Sequence, residues 1–172
     1  MKKLAIALLC AMALTGADAP RRAPGFCLPD QTMQWRDLAD YRGKVVVLEF
    51  MQSTCPHCAA FVPVLTSLQQ KYAGRLQVIS VAVAPDPPQA VVQFATGHKL
   101  TYPLLYDSGQ MTMSYVRAQG VDFPTVYLID AAGMIRGSWA NGPMTKDFFE
   151  GNGITREVDK LMAGAPAAAG KK

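Results

Sequence analysis

The chain has 172 residues, half of them hydrophobic and 17% charged, with a formal net charge of +4. That length supports one domain with a sizeable core. Apart from the pairs Lys2-Lys3, Arg21-Arg22 and Lys171-Lys172 the basic residues are scattered, and no basic stripe interleaved with aromatics is present, which argues against nucleic acid as a partner.

Lys2 and Lys3 precede an apolar run from Leu4 to Leu14, and the small residues Gly16, Ala17 and Ala19 follow. This is the layout of a secretory signal peptide; the run falls short of the about 20 residues that a membrane-spanning helix needs. Cleavage after Ala17 sets Thr15 at the third position back. Cleavage after Ala19 gives A-D-A but places Pro20 beside the cut. A lipoprotein cut at Cys10 fits poorly because bulky Leu9 precedes it. The alternative is the hydrophobic N-terminus of a cytosolic protein. We read residues 1–19 as the leader, 20–163 as one domain and the low-complexity "GAPAAAGKK", 164–172, as a flexible tail. Export places the mature chain in the periplasm or another extracytoplasmic space, without a stable membrane span. Disulfides persist there. Cys10 leaves with the leader, and Cys27, Cys55 and Cys58 remain. Three is odd, so one thiol stays unpaired or pairs between chains.

Residues 18–25 read as a Pro/Arg/Ala linker, and 37–43 as a short polar connection ending in a turn glycine. "KVVVLEF" (44–50) is a nearly continuous β-branched run, the pattern of a strand buried on both faces. Phe61, Val62, Leu65, Leu68 and Tyr72 then recur at helical spacing until Gly74. "LQVISVAVA" (76–84) predicts a second buried strand, 87–100 a helix, "YPLLYD" (102–107) an extended piece and 109–120 another helix. "PTVYLID" (124–130) and "MIRGSWA" (134–140), joined by "AAG", predict a hairpin. Residues 141–153 are glycine-rich around Phe148-Phe149, and 154–163 form an amphipathic closing helix. Strands alternating with helices and ending in a hairpin give α/β layers around a mixed sheet.

Between the first long strand and the helix lies "CPHC". The free N–H groups and positive dipole end of a helix start stabilise an anion, so Cys55 sits where a thiolate is favoured, and Pro56 suits the first helical turn. Cys58, one turn on, is close enough to close a small disulfide. One sulfur attacks a partner and the other resolves the mixed disulfide. A structural zinc site would need about four ligands, and besides the pair only Cys27, His57 and His98 are candidates. A structural staple closing so small a loop gains little chain entropy.

"GKVVVLEFMQSTCPHCAAFVPVL" resembles the thioredoxin active-site strand and helix, and "YRGKVVVLEF…CPHC" is similar to the TlpA/ResA-type extracytoplasmic thiol–disulfide oxidoreductases, near the alkyl-hydroperoxide-reductase-like branch. The resemblance runs from about Ala23 to Ala163. It includes "PGFCLPDQTMQWRDLADYRGK", similar to the family's N-terminal hairpin, and Pro63, where thioredoxins carry a helix-kinking proline. It also includes "GVDFPTVYLID", which matches the cis-proline segment. It implies a thioredoxin-like three-layer α/β fold, a central mixed β-sheet flanked by helices with an N-terminal β-hairpin. It also implies a cis Phe123–Pro124 bond facing the disulfide, where Phe123 and Pro124 shape a groove for an extended substrate. Glu49 aligns with the buried aspartate of thioredoxins, where many relatives of this branch carry asparagine. An acid inside an apolar strand is costly, and a buried carboxyl could move a proton to or from Cys58. The bland reading turns Glu49 to solvent or pairs it with Lys44. His57, in a Pro-His dipeptide also found in DsbA-type proteins, is expected to stabilise the Cys55 thiolate. Thr54 replaces the usual tryptophan before the first cysteine. Cys27 reads as a buried small hydrophobe or, more sharply, as a regulatory thiol. Trp35 and Trp139 read as packing residues, and Met111, Met113 and Met144 as core filling or a pliable binding surface. No role is assigned to His98.

The expected activity is thiol–disulfide exchange by a monomer with cysteine-containing protein substrates and an upstream redox partner, without cofactor or metal. Two rivals remain. A thiol peroxidase would place Thr or Ser three residues before the cysteine, but Gln52 stands there. A copper-handling metallochaperone of this fold uses C-x-x-x-C and a distant histidine, one residue longer than the spacing here.

Overall fold

The computed structural model describes residues 21–107, 109–116 and 122–164. The predicted leader with Cys10, residues 165–172 of the tail, and 117–120 of the predicted 109–120 helix lie outside the described residues. The organising element is β4, Val45–Met51, buried along its whole length. Its side chains alternate between two layers, as strand geometry requires. Val46, Leu48 and Phe50 enter one apolar cluster and Val45 and Val47 another, with Met51 in a third on the same side.

β4 pairs in parallel with β5, Leu76–Ala82, and antiparallel with β7, Thr125–Ile129. β5 pairs in parallel with β6, Leu104–Tyr106, and β7 antiparallel with β8, Met134–Ala140. β1, Arg21–Arg22, adds to β8. The result is a six-stranded mixed sheet in the order β1-β8-β7-β4-β5-β6. One face carries α1, Pro56–Lys71, through Phe61, Leu65 and Leu68, α2, Pro88–Gly97, through Val91 and Phe94, and α5, Asn152–Gly164, through Ile154 and Val158. The other carries α3, Gln110–Tyr115, through Met111 and Tyr115, together with Ala23 and Phe26. This is the thioredoxin-like three-layer arrangement.

The N-terminal hairpin consists of β2, Cys27–Pro29, and β3, Trp35–Asp37. It covers the open edge of the sheet: Asp30 bridges to Leu105, and the Leu104 N–H donates to Gln31 Oε1 at 2.8 Å. Covering an edge strand blocks pairing with other chains. Asp37 then caps a 3-10 turn, Leu38–Tyr41, by accepting from the Ala39 N–H.

Several expectations are corrected. Residues 21–23 are part of the sheet and core, since Arg21 and Arg22 pair with Ile135 and Met134 and Ala23 is buried. The glycine-rich 141–153 contains a 3-10 turn, Pro143–Thr145, and a short helix, α4, Lys146–Phe149. Phe148 there stacks on Trp139 at 4.4 Å, which makes Trp139 a packing residue as read. Trp35 is not one: it is 68% exposed on the short two-stranded hairpin, and none of the described residues packs over it to bury it. Cys27 is likewise exposed. Met111 fills the core, whereas Met144 is fully exposed. Among the described residues no helix is long and apolar enough to cross a membrane.

Candidate active site

β4 ends at Met51, and the chain turns through residues 52–54 into α1. Cys55 is the N-cap: its Sγ accepts the Cys58 N–H at 3.3 Å, meeting one of the donors a helix start leaves unpaired. The Cys55 thiol donates to the Phe123 carbonyl at 3.5 Å. Phe123–Pro124 is a cis bond at the start of β7. The Asn141 N–H donates to the Pro124 carbonyl at 3.0 Å and ties that loop to the end of β8. The Cys55 sulfur and the cis-proline backbone therefore meet directly. Cys55 is half-buried, within reach of a partner.

Cys58 is fully buried. Burial pushes its thiol well above the ordinary value of 9.0, and the nearby Glu49 charge and the Cys55 sulfur push it further. Glu49 lies on the same face of β4 as Val45 and Val47, paired with Ser80 of β5 and Val126 of β7. It is 2% exposed. Its Oε2 accepts the Ser80 hydroxyl, while Oε1 has no hydrogen-bond partner among the described residues. Burial raises its pKa from 4.5 to about 7, against the lowering effect of the Ser80 hydrogen bond. The bland readings of Glu49, solvent-facing or held by Lys44, are thereby corrected: β4 is covered on both faces, and the partner is Ser80.

His57 is exposed in the first turn of α1 and lines a groove with Ala60, Phe61, Pro143, Lys146 and Phe149. The described hydrogen bonds of Cys55 Sγ go to Cys58 and Phe123, not to His57. Pro63 lies inside α1, where its ring nitrogen has no hydrogen to donate. His98 packs against Phe94, with ring centroids 4.4 Å apart. Among the described residues no three His, Cys, Asp or Glu side chains cluster as a metal site.

Sequence reasoning missed one part of the site. Asp86 follows β5 and a second cis bond, Ala84–Pro85. Its carboxylate accepts the Ser53 N–H at 2.5 Å and the Ser53 hydroxyl at 2.9 Å, holding the turn that delivers Cys55 to α1. The acid in "APDPP" at the end of a strand was the available signal.

An N-capping cysteine against a cis-proline loop, with a second cysteine buried one turn on, defines a thiol–disulfide oxidoreductase of the thioredoxin fold. The family follows from comparison: residues 20–138 match the AhpC/TSA family, and the chain belongs to it. It is 31% identical over 137 residues to the thioredoxin-like protein YneN of Bacillus subtilis, covering 78% of each chain. It is 33% identical over 127 residues to the thiol-disulfide oxidoreductase ResA of Geobacillus thermodenitrificans, covering 73% of this chain and 70% of that one. The structure matches a putative thiol:disulfide interchange protein DsbE from Chlorobium tepidum with a TM-score of 0.69 at 26% identity, covering 86% of this chain and 97% of that one.

Proposed function

We propose that the protein is exported by its residue 1–19 leader and, as a monomer, exchanges a Cys55–Cys58 dithiol/disulfide with cysteine-containing proteins outside the cytoplasm. A second redox protein resets the pair. Cys55 is the nucleophile and Cys58 the resolving thiol. The observation that carries the reading is the asymmetry of the two sulfurs: Cys55 is accessible and hydrogen-bonded at a helix start, whereas Cys58 is buried above a carboxyl group.

When the dithiol reduces a client, Cys55 attacks the client disulfide and one client sulfur leaves as thiolate. Glu49, as carboxylate, then takes the Cys58 proton. Cys58 attacks Cys55 Sγ, the second client sulfur departs with the electron pair, and solvent returns its proton. Run backwards, the same steps oxidise a client. His57 adds positive charge beside the helix start whenever protonated, and the cis Phe123–Pro124 backbone gives an extended client segment a place to pair.

The test is covalent trapping. Cys58→Ala should accumulate mixed disulfides with client proteins on non-reducing gels, and Cys55→Ser should accumulate none. Absence of trapped clients in the compartment where the protein resides would overturn the exchange reading. The reduction potential of the pair assigns the direction: about −120 mV marks an oxidase and about −270 mV a reductase.

A further inference from the structure

Beneath Cys58 a second feature stands apart from the cysteines. The layer between β4, β5 and α1 is apolar, built from Val47, Phe61, Val78 and Val126, yet three oxygen-bearing side chains enter it: Glu49, Ser80 and Tyr102. Their positions follow from the sheet register. Ser80 is the direct partner of Glu49 across β4 and β5, so both side chains leave on the α1 face. On its other side Ser80 pairs with Leu104, and its N–H donates to the Pro103 carbonyl at 3.0 Å, which brings the preceding Tyr102 to the same spot. Tyr102 is 3% exposed and Glu49 2%.

The hydrogen-bond account of this trio is incomplete in an informative way. Ser80 Oγ donates to Glu49 Oε2. Glu49 Oε1 and the Tyr102 hydroxyl are both buried with no partner among the described residues. Buried polar groups are nearly always paired, because an unpaired one loses its hydration without compensation. Here one orphan is an acceptor that needs a donor once it is charged, and the other is a hydroxyl that supplies one. The Tyr102 hydroxyl is held well above its ordinary value by burial and then by the Glu49 charge, against the lowering effect of the neighbouring Ser80 hydroxyl.

We propose that Ser80 and Tyr102 are positioning residues, a pair of hydroxyl donors that hold the Glu49 carboxylate in its ionised form, Ser80 on Oε2 and Tyr102 on Oε1. The proposal deepens the proton-carrier reading of Glu49 and rests on it for its use in exchange. Glu49 can take the Cys58 proton only as a carboxylate, and in this apolar layer a carboxylate without donors is strongly disfavoured. With Glu49 protonated, one donor suffices; with Glu49 ionised, the Tyr102 hydroxyl supplies the second. The ionisable groups facing Glu49 are Cys58 and, through it, Cys55 from α1, and Tyr102 from the α2–β6 connection; β5 presents Ser80 and β7 apolar Val126.

The experiment follows the Glu49 carboxyl itself. The buried acid band in the infrared spectrum of the reduced protein, assigned by its loss in Glu49→Gln, is titrated from pH 4 to 9 in the wild type and in Tyr102→Phe. The phenylalanine keeps the packing and removes only the oxygen. The midpoint should rise by about one pH unit, the scale of one hydrogen bond to a charged group. Ser80→Ala, a smaller change in case Tyr102→Phe folds poorly, should raise it likewise. The pH–rate profile of peptide disulfide exchange should move alkaline in step. An unmoved midpoint in either folded variant overturns the donor pair. If the midpoints move while Glu49→Gln exchanges at the wild-type rate, the donor pair stands and the proton-carrier reading falls.

Discussion

Glu49→Gln separates the cost of a buried acid from its use. The carboxyl titrates near 7 in the fold against 4.5 in the open chain. Between those values the folded state holds a proton that the unfolded state has released, so folding stability falls as pH rises through the window. The contribution of Glu49 is fully present below pH 4.5 and lost by pH 7. At about 1.4 kcal/mol per pH unit the span amounts to about 3 kcal/mol, a large share of the roughly 5–15 kcal/mol that holds a domain together. The other shifted groups act elsewhere. Asp30 and Asp130 titrate below 3.8, and the Cys58 thiol above 9.0. Gln keeps the shape and cannot ionise. The stability difference between Glu49→Gln and wild type, taken from urea melts of the reduced proteins at pH 4, 5, 6, 7 and 8, should therefore grow in favour of the variant by about 3 kcal/mol across the series. A difference that stays flat with pH would refute the claim that Glu49 is held as a buried acid.

Further outcomes follow from other contacts. Removing the turn clamp in Asp86→Ala should slow exchange and lower stability by about 1–2 kcal/mol, whereas Asp86→Asn, which can still accept one hydrogen bond, should lose less; stopped-flow exchange and urea melts check both. Iodoacetamide at neutral pH should label Cys55 and the exposed Cys27 while sparing Cys58 in the folded protein, with mass spectrometry as the readout; prompt labelling of Cys58 would contradict its burial. Gly153→Ala places a Cβ 2.6 Å from the Phe148 backbone, so it should destabilise by about 1–3 kcal/mol with unchanged redox potential.

The parts of the fold legible in the sequence are those where the local pattern and the tertiary demand coincide. "KVVVLEF" reads as a strand covered on both sides because nearly every residue suits burial, and β4 is buried throughout. α1 announces itself by its apolar spacing and by Pro56 and the cysteines at its start. What stayed hidden depends on partners distant in sequence. Arg21 and Arg22 look like linker residues and become a strand because β8 offers an edge. Cys27 and Trp35 look like core residues, but the hairpin that holds them lies over the sheet edge with one side open. Phe148-Phe149 in a glycine-rich stretch becomes helical because Trp139 and Phe61 provide surfaces to pack on. Asp86 is visible as an acid at a strand end, but its partner Ser53 lies 33 residues away in sequence and nothing local pairs the two.

The unequal chemistry of the two sulfurs follows from the two-residue period of one strand. Glu49 shares the face of Val45 and Val47, and that face meets α1; Leu48 and Phe50 on either side point to the opposite layer. Moving the acid by a single position would carry it to the far side of the sheet, among Ile79, Tyr115 and Tyr127, with the whole backbone layer between it and Cys58. At position 49 it lies instead under the first turn of α1, where the three-residue step from Cys55 to Cys58 has already turned the second sulfur inward. Strand period and helix period thus combine to give one sulfur a helix N-terminus and a way out, and the other an apolar layer and an acid. The proposed division between attack by Cys55 and resolution by Cys58 rests on that difference, which the strand and the helix start lay down and which Phe123, Ser80 and the apolar residues around Cys58 complete.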